Sequence, residues 1–474
     1  MLFNSAQFGV FLVVVFLLYW SMRENRGMRQ CFLLACSFYF YMCWNVRYLG
    51  LLVFSIALDY VVAKAIYRER RPRIRKALLG VSIAGNLGVL GTFKYFNFFS
   101  ENLNVAASWA GLEPIIPALD VLLPVGISFY TFQTMSYTIE IYQGKIKPCS
   151  SIIELALFTS FFPQLVAGPI VRASQFLPQL ERVPEADAYR MSSGLYNILK
   201  GLFKKIVLAD YVGFRLVDSV FADPGAYGAL SVLLAVYGFK LQIYGDFAGY
   251  SDIAIGSARL LGFELPVNFR SPYKARSVQE YMERWHITMG AWFRDFVYFP
   301  LGGARKGSIR TYVNIMLTMS LIGLWHGASW TFVFWGVSYG AFISAERFLR
   351  KIRGAPVGAK RVWYRDVLAA ILTFHATAIS TVLFRSDTMW DARVIFTKLF
   401  SLEGWRLSTP VSGTAVAVMA LGYALHFLPE TWKRRSEELF SSSPVPAQAI
   451  ALTLVLGLCV FLHLEDNPFY YFQF

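Results

Sequence analysis

Two of the five histidines in this 474-residue chain sit in settings where an imidazole can move a proton. His326 occupies Gly323-Leu324-Trp325-His326-Gly327-Ala328-Ser329-Trp330, between the apolar runs Tyr312 to Ile322 and Thr331 to Ile343. His286 stands in Glu283-Arg284-Trp285-His286-Ile287-Thr288, followed by Trp292-Phe293-Arg294-Asp295. An ionisable imidazole held deep among apolar groups is a functional candidate, and a second one beside it can orient or polarise a reactant. A plain structural reading also stands for each: His326 as a donor to a backbone carbonyl, His286 as part of an interfacial helix anchored by Trp and Arg. His375, His426 and His463 lie singly in apolar segments and read as packing or interface residues. No partnered Cys or carboxylate spacing accompanies the histidines, so no metal site is expected.

The remaining chemistry-bearing run is Tyr244-Gly245-Asp246-Phe247-Ala248-Gly249-Tyr250-Ser251-Asp252. Acids in apolar surroundings must be paired or protonated, and Arg284 and Arg294 are the nearest candidate counter-ions by type alone, since sequence does not pair them. The glycines form neither a Walker nor a GxGxxG pattern, so no phosphate loop is read here.

The elements that position these groups are membrane helices. The composition is 56% hydrophobic and 17% aromatic with only 16% charged residues, and mean hydropathy is +0.46. A soluble domain would leave far too much apolar area in water. Windows of about 19 residues mark about ten to twelve apolar stretches. The first, Phe8 to Trp20, precedes Arg23, Arg26 and Arg29, the wrong flank for a cleaved signal peptide. The net charge of +15 gathers in short loops, which points to positive-inside topology and not to nucleic acid. The five cysteines show no CxxC spacing, and no disulfide framework is expected.

Placing the basic clusters Lys64 to Lys76, Arg347 to Arg365 and Lys433-Arg434-Arg435 in the cytoplasm orders the spans. Phe8 to Trp20 descends from an external N-terminus, Cys31 to Trp44 ascends, Leu49 to Ile66 descends and Ala77 to Phe93 ascends, with Glu101 to Leu119 an outer loop. Val367 to Phe384 leaves the cytoplasm, Val411 to Leu428 returns, and Ala447 to Leu462 leaves again, so the tail Glu465 to Phe474 is expected outside. Between 120 and 345, Pro124, Gly126, Gly168, Pro169, Glu140, Asp246, Asp252 and Arg284 interrupt the apolar runs. Broken helices of this kind survive only where protein or a wet cavity surrounds them. The hairpin carrying His326 is entered from the cytoplasm. At about 1.5 Å per residue, His326 lies about 22 Å from the loop at its start.

The chain resembles the membrane-bound O-acyltransferase family, most closely the bacterial branch typified by alginate O-acetyltransferase and the teichoic acid D-alanyl transferase. The resemblance rests on Gly91 to Phe99, Leu123 to Tyr137, Phe161 to Arg172, Tyr244 to Ile255, Arg284 to Gly303, Gly323 to Gly336 and the ending Pro468 to Phe474. Met289-Gly290-Ala291 departs from it where a hydroxyl residue is expected after Arg-Trp-His. The resemblance implies an all-α polytopic membrane protein with about ten to twelve transmembrane or re-entrant helices around a central tunnel. It would be a single membrane domain, with N-terminal spans to 119, a catalytic core over 120–345 and C-terminal spans over 346–474.

The same resemblance makes His326 the catalytic histidine and His286 the second active-site position. Trp325, Asp246, Tyr250, Ser251, Arg284, Trp285, Arg294, Asp295 and Gln164 are candidate substrate-binding or tunnel-lining residues. It implies a multi-pass protein of the bacterial inner membrane, with both termini outside. The expected reaction takes an acyl group, acetyl by preference, from a cytoplasmic acyl-CoA that serves as donor substrate, with no bound cofactor. His326 takes the proton of the acceptor hydroxyl, and His286 donates a hydrogen bond to the oxyanion. The group passes to an extracytoplasmic SGNH-type partner or small carrier protein and on to a polysaccharide, alginate-like or another exopolysaccharide. Peptidoglycan, teichoic acid or lipid acylation by the same core is the alternative acceptor chemistry. A transporter with a midplane site is the alternative of another class. Membrane lipids are expected partners and nucleic acid is not.

Overall fold

Apolar runs punctuated by Ser, Asn, Gly and Pro give helices with defined starts. Ser5 accepts from Phe8 N–H at 3.2 Å to begin Ala6–Ser21, and Asn25 accepts from Met28 N–H at 3.1 Å to begin Arg26–Met42. Each cap satisfies a donor that the first turn leaves open. The computed structural model describes residues 1–114, 116–352, 362–401 and 411–462, and among these there is no strand. The tail Glu465 to Phe474 and His463 lie outside the described residues.

Four described helical stretches are long and apolar enough by themselves to cross a membrane: Val46–Arg68, Pro72–Trp109, Trp363–Arg385 and Val445–Leu462. Ala6–Ser21 and Gly413–Phe427 are apolar but shorter. The count is below the ten to twelve apolar stretches because several helices are shorter than a full span or carry buried polar side chains. Ile127–Tyr142, for example, buries Ser128, Thr131, Gln133, Thr134, Ser136, Thr138 and Glu140, which dilute its hydropathy. Exposed apolar side chains such as Val10, Leu17, Val61 and Phe461 suit a lipid surround.

The described chain divides into two compact units. The first comprises 1–195 and 254–266. A buried polar knot ties three of its helices together. Asp59 of Leu49–Arg68 accepts from Ser82, from Asn86 Nδ2 at 2.9 Å and from Thr138 Oγ1 at 3.1 Å. Three donors satisfy a carboxylate that hydrocarbon alone would not tolerate. The outer loop expected over Glu101 to Leu119 starts later, because helix continues unbroken to Trp109.

The second unit comprises 196–253 and 267–474. Asp246 and Asp252 do not break their helix: Ala229–Leu260 runs through both for 32 residues. Ion pairing explains the continuity. Lys205 Nζ lies 2.7 Å from Asp246 and 2.7 Å from Asp210, while Lys204 and Lys200 lie 2.7 and 3.1 Å from Asp252. The partners are therefore lysines of the preceding helix and its π-helical continuation Phe203–Asp210, not Arg284 or Arg294. Arg284 pairs with Glu280 at 2.7 Å and Arg294 with its neighbour Asp295 at 3.0 Å.

Candidate active site

The hairpin that carries His326 consists of Ser308–His326 and Trp330–Ile352. Its helices meet backbone to backbone. A Cβ on Gly323 would sit 2.2 Å from the Phe332 carbonyl oxygen, and one on Gly336 would sit 2.2 Å from that of Met319. Small residues permit this approach, the usual device for tight helix pairs in membranes. The helix stops at His326 because Gly327 turns to extended backbone (φ −158°). His326 is thus delivered, buried, at the tip of a stiff hairpin.

Aromatic rings enclose the His326 imidazole. Trp335 stands edge-on to it at 5.0 Å between centroids, Phe384 of Trp363–Arg385 lies at 5.3 Å and Trp325 at 5.0 Å. Ser329 and Thr331 hydroxyls pair at 3.0 Å in the turn that follows.

His286 lies between two seven-residue helices, Val278–Arg284 and Ile287–Phe293. Ser277 caps the first by accepting from Glu280 N–H at 3.0 Å. His286 itself takes a left-handed backbone (φ 43°, ψ 54°), a conformation that costs about 1–3 kcal/mol in a non-glycine residue. Two backbone bonds to a neighbouring extended segment hold it there: Ile287 N–H donates to Asn268 O and Arg270 N–H to Arg284 O, both at 2.9 Å. The buried ring meets Phe247 edge-on at 4.6 Å, and its Nδ1 lies 3.1 Å from Asn268 Oδ1.

One residue touches both imidazoles. The Trp325 indole is 5.0 Å from His326 and 5.9 Å from His286. Residues 40 apart in sequence thus share one aromatic wall. At the polar edge Glu280 is pushed up by burial, but the Arg276 N–H and the Arg284 guanidinium outweigh this and hold it below the ordinary carboxylate range.

The other candidates fall into three groups. Trp285 joins the aromatic wall, stacking on Tyr281 at 5.6 Å and meeting Phe269 edge-on at 5.1 Å. Ser251 reaches His286 indirectly, since its hydroxyl accepts from Asn268 Nδ2 at 3.3 Å. Asp246 and Tyr250 belong to the lysine knot, with Lys205 Nζ 5.7 Å above the Tyr250 ring. Arg284, Arg294 and Asp295 are engaged in the ion pairs already given. Gln164 belongs to the first unit, where its Nε2 and that of Gln133 both donate to the Phe158 carbonyl at 2.6 Å.

A cavity of about 350 Å³ opens beside the site, in the range of roughly 300–1,000 Å³ that suits small-molecule ligands. Ile287, next to His286, and Ile322, one turn before His326, line it together with Gly290, Ala291, Phe293 and Met319. Gln279, Glu283, Arg294 and Arg347 are among its polar lining residues. The small residues at 290 and 291, where a hydroxyl was expected, are part of this wall; the Thr288 hydroxyl, two positions before Gly290, donates to Asn268 Oδ1 at 3.0 Å.

Asn268, Thr288, Trp335, Phe384 and the lysine partners were absent from the sequence candidates. Only the paired lysines at 204 and 205, inside an otherwise apolar run, offered a signal.

The family model for MBOAT, the membrane-bound O-acyltransferase family, matches residues 143–385, a span that contains both histidines. The chain is 34% identical to the probable alginate O-acetylase of Pseudomonas putida, over 100% of both sequences. It is 33% identical to the peptidoglycan O-acetyltransferase of Helicobacter pylori, over 85% of this chain and 80% of that one. A more distant relative is the teichoic acid D-alanyltransferase of Streptococcus thermophilus, 28% identical over 58% of this chain and 71% of that one.

Proposed function

From the premise that this chain belongs to the membrane-bound O-acyltransferase family, and is thus a membrane O-acyltransferase, we propose that it transfers acetyl from a cytoplasmic acetyl-CoA to an extracytoplasmic acceptor for polysaccharide O-acetylation. The observation that carries the reading is the pair of buried imidazoles on one indole, His326 and His286 on Trp325, inside the span that matches the family.

His326 acts as general base. The neutral imidazole takes the proton of an acceptor hydroxyl as that oxygen attacks the thioester carbonyl carbon. The carbon–sulfur bond then breaks, the ester is left on the acceptor oxygen, and the thiolate takes the proton back from His326. General base catalysis of this kind is worth about 10²–10⁴-fold. The aromatic enclosure of Trp325, Trp335 and Phe384 keeps bulk water from competing as nucleophile. His286, which packs on the same indole, contacts a reactant as well.

The cavity reaching Ile287 and Ile322 fits the apolar arm of a thioester donor, and Arg294 and Arg347 suit its anionic end. Positive-inside placement of Arg347 puts that end in the cytoplasm of a bacterial inner membrane, with both chain termini outside. The acceptor side then calls for a separate extracytoplasmic SGNH-type or carrier partner. The name of the Helicobacter pylori relative supports peptidoglycan as a second acceptor class.

The test uses inverted membrane vesicles containing the full chain, its partner and acceptor, supplied with acetyl-labelled acetyl-CoA. Label appearing on the luminal acceptor supports the reading. Label that stays with CoA, under conditions where the chain is folded and inserted, overturns it.

A further inference from the structure

A buried polar chain runs from Ser251 through Asn268 to His286 and Thr288. Asn268 Nδ2 donates to Ser251 Oγ at 3.3 Å. Around its Oδ1 gather Thr288 Oγ1 at 3.0 Å, His286 Nδ1 at 3.1 Å and Thr288 N at 3.3 Å. Asn268, Ser251 and His286 are all at most 2% exposed.

The sense of these bonds follows from the one group that cannot reverse. The Thr288 backbone N–H is a donor only, so the Asn268 amide must turn its oxygen toward it. Its amino group then points to Ser251, whose hydroxyl can serve either way and accepts here. An oxygen facing Nδ1 requires a proton on Nδ1, and a neutral imidazole with that proton carries its lone pair on Nε2. The same asparagine also holds the strained backbone, since its carbonyl accepts from Ile287 N–H at 2.9 Å.

We propose that Asn268 is a positioning residue of the transfer reaction, which holds His286 as the Nδ1–H tautomer so that Nε2 accepts a hydrogen bond from a second hydroxyl of the acceptor, beside the one whose proton His326 takes. The role rests on the acyltransferase reading above; the tautomer does not. It gives His286 the opposite sense from the oxyanion donor expected from the sequence, because donation from Nε2 needs a proton that Asn268 has drawn to Nδ1. Phe247, Phe269 and Trp325, none of which titrates, pack against His286. The flanking Arg284 is engaged by Glu280 and the Arg270 carbonyl.

Three variants separate positioning from mere packing. In Asn268→Asp the carboxylate still accepts from Nδ1–H but favours the imidazolium, which turns Nε2 into a donor. The acid limb of kcat against pH therefore moves up by about 1–3 pH units, with activity recovered above it. Asn268→Leu removes the acceptor and frees the tautomer, so kcat falls by about 10²-fold at every pH while KM for acetyl-CoA holds. Thr288→Val keeps the backbone N–H and stays within a few-fold of wild type.

The direct readout is the nitrogen-15 spectrum of histidine-labelled full chain in nanodiscs, with His286 assigned by its loss in His286→Gln. The expected spectrum has the His286 proton on Nδ1 in wild type and displaced toward Nε2 in Asn268→Leu. A wild-type proton on Nε2, or an acid limb in Asn268→Asp that coincides with wild type, overturns the proposal. If wild type transfers no acetyl, the acyltransferase reading fails while the spectrum still decides the tautomer.

Discussion

Replacing Gly323 with alanine should damage catalysis through the hairpin alone, without touching either histidine. The added Cβ would stand 2.2 Å from the Phe332 carbonyl oxygen and 3.1 Å from Gly336 N. Contacts below 3.0 Å essentially do not occur for a real Cβ, so the two helices must part by at least about 0.8 Å. His326 is three residues further along the same helix, at the tip, where the opening is felt in full. A displacement of about 1 Å at a reacting group can cost about 10²-fold in rate. The overpacking itself costs about 1–3 kcal/mol, too little to prevent insertion. The assay compares acetyl transfer rates and thermal unfolding of wild type, Gly323→Ala and Gly336→Ala with Gly457→Ala, whose Cβ meets nothing within 4 Å. The two hairpin variants should fall about 10²-fold in kcat with Gly457→Ala unchanged. Full activity in Gly323→Ala would refute the claim that backbone contact sets the position of His326.

Two further substitutions address the surroundings of the site. Lys205→Met should destabilise the protein by about 3–5 kcal/mol, because it strands the buried carboxylate of Asp246 and the partly buried one of Asp210; adding Asp246→Asn and Asp210→Asn should recover most of the loss in a denaturation series. Ala291→Trp should fill the cavity beside Ile287 and Ile322 and raise KM for the acetyl donor at least about tenfold, the equivalent of about 1.4 kcal/mol, with thermal stability unchanged; an unaltered KM would remove the cavity from the donor path.

The hairpin was legible in the sequence because two apolar runs of helical length flank a short polar turn, and Gly327 breaks the helix at that turn. The division between Leu49–Arg68 and Pro72–Leu90 was legible for a similar reason, since a basic loop with a proline separates two apolar stretches. Pairing was not legible. Asp246 and Asp252 announced only that a cation must be near, and type alone favoured the arginines of the Arg-Trp-His segment. What decides is the close packing of Ala229–Leu260 on the π-helical turn after Leu202, which sets Lys204 and Lys205 against the acids.

The role of Asn268 was hidden for another reason. It sits in an extended stretch with no periodicity, and only the folded backbone of His286 brings its amide to an imidazole 18 positions away. Trp325 read as half of a motif beside His326. That it also walls His286 is a property of packing alone.

The central claim is tested most directly by comparing wild type with His326→Ala and His326→Gln in the vesicle assay, each shown to be folded by thermal unfolding. The account predicts that acetyl transfer to the luminal acceptor falls by about 10²–10⁴-fold in both variants while wild-type stability is kept. Transfer by folded His326→Ala at the wild-type rate would contradict it.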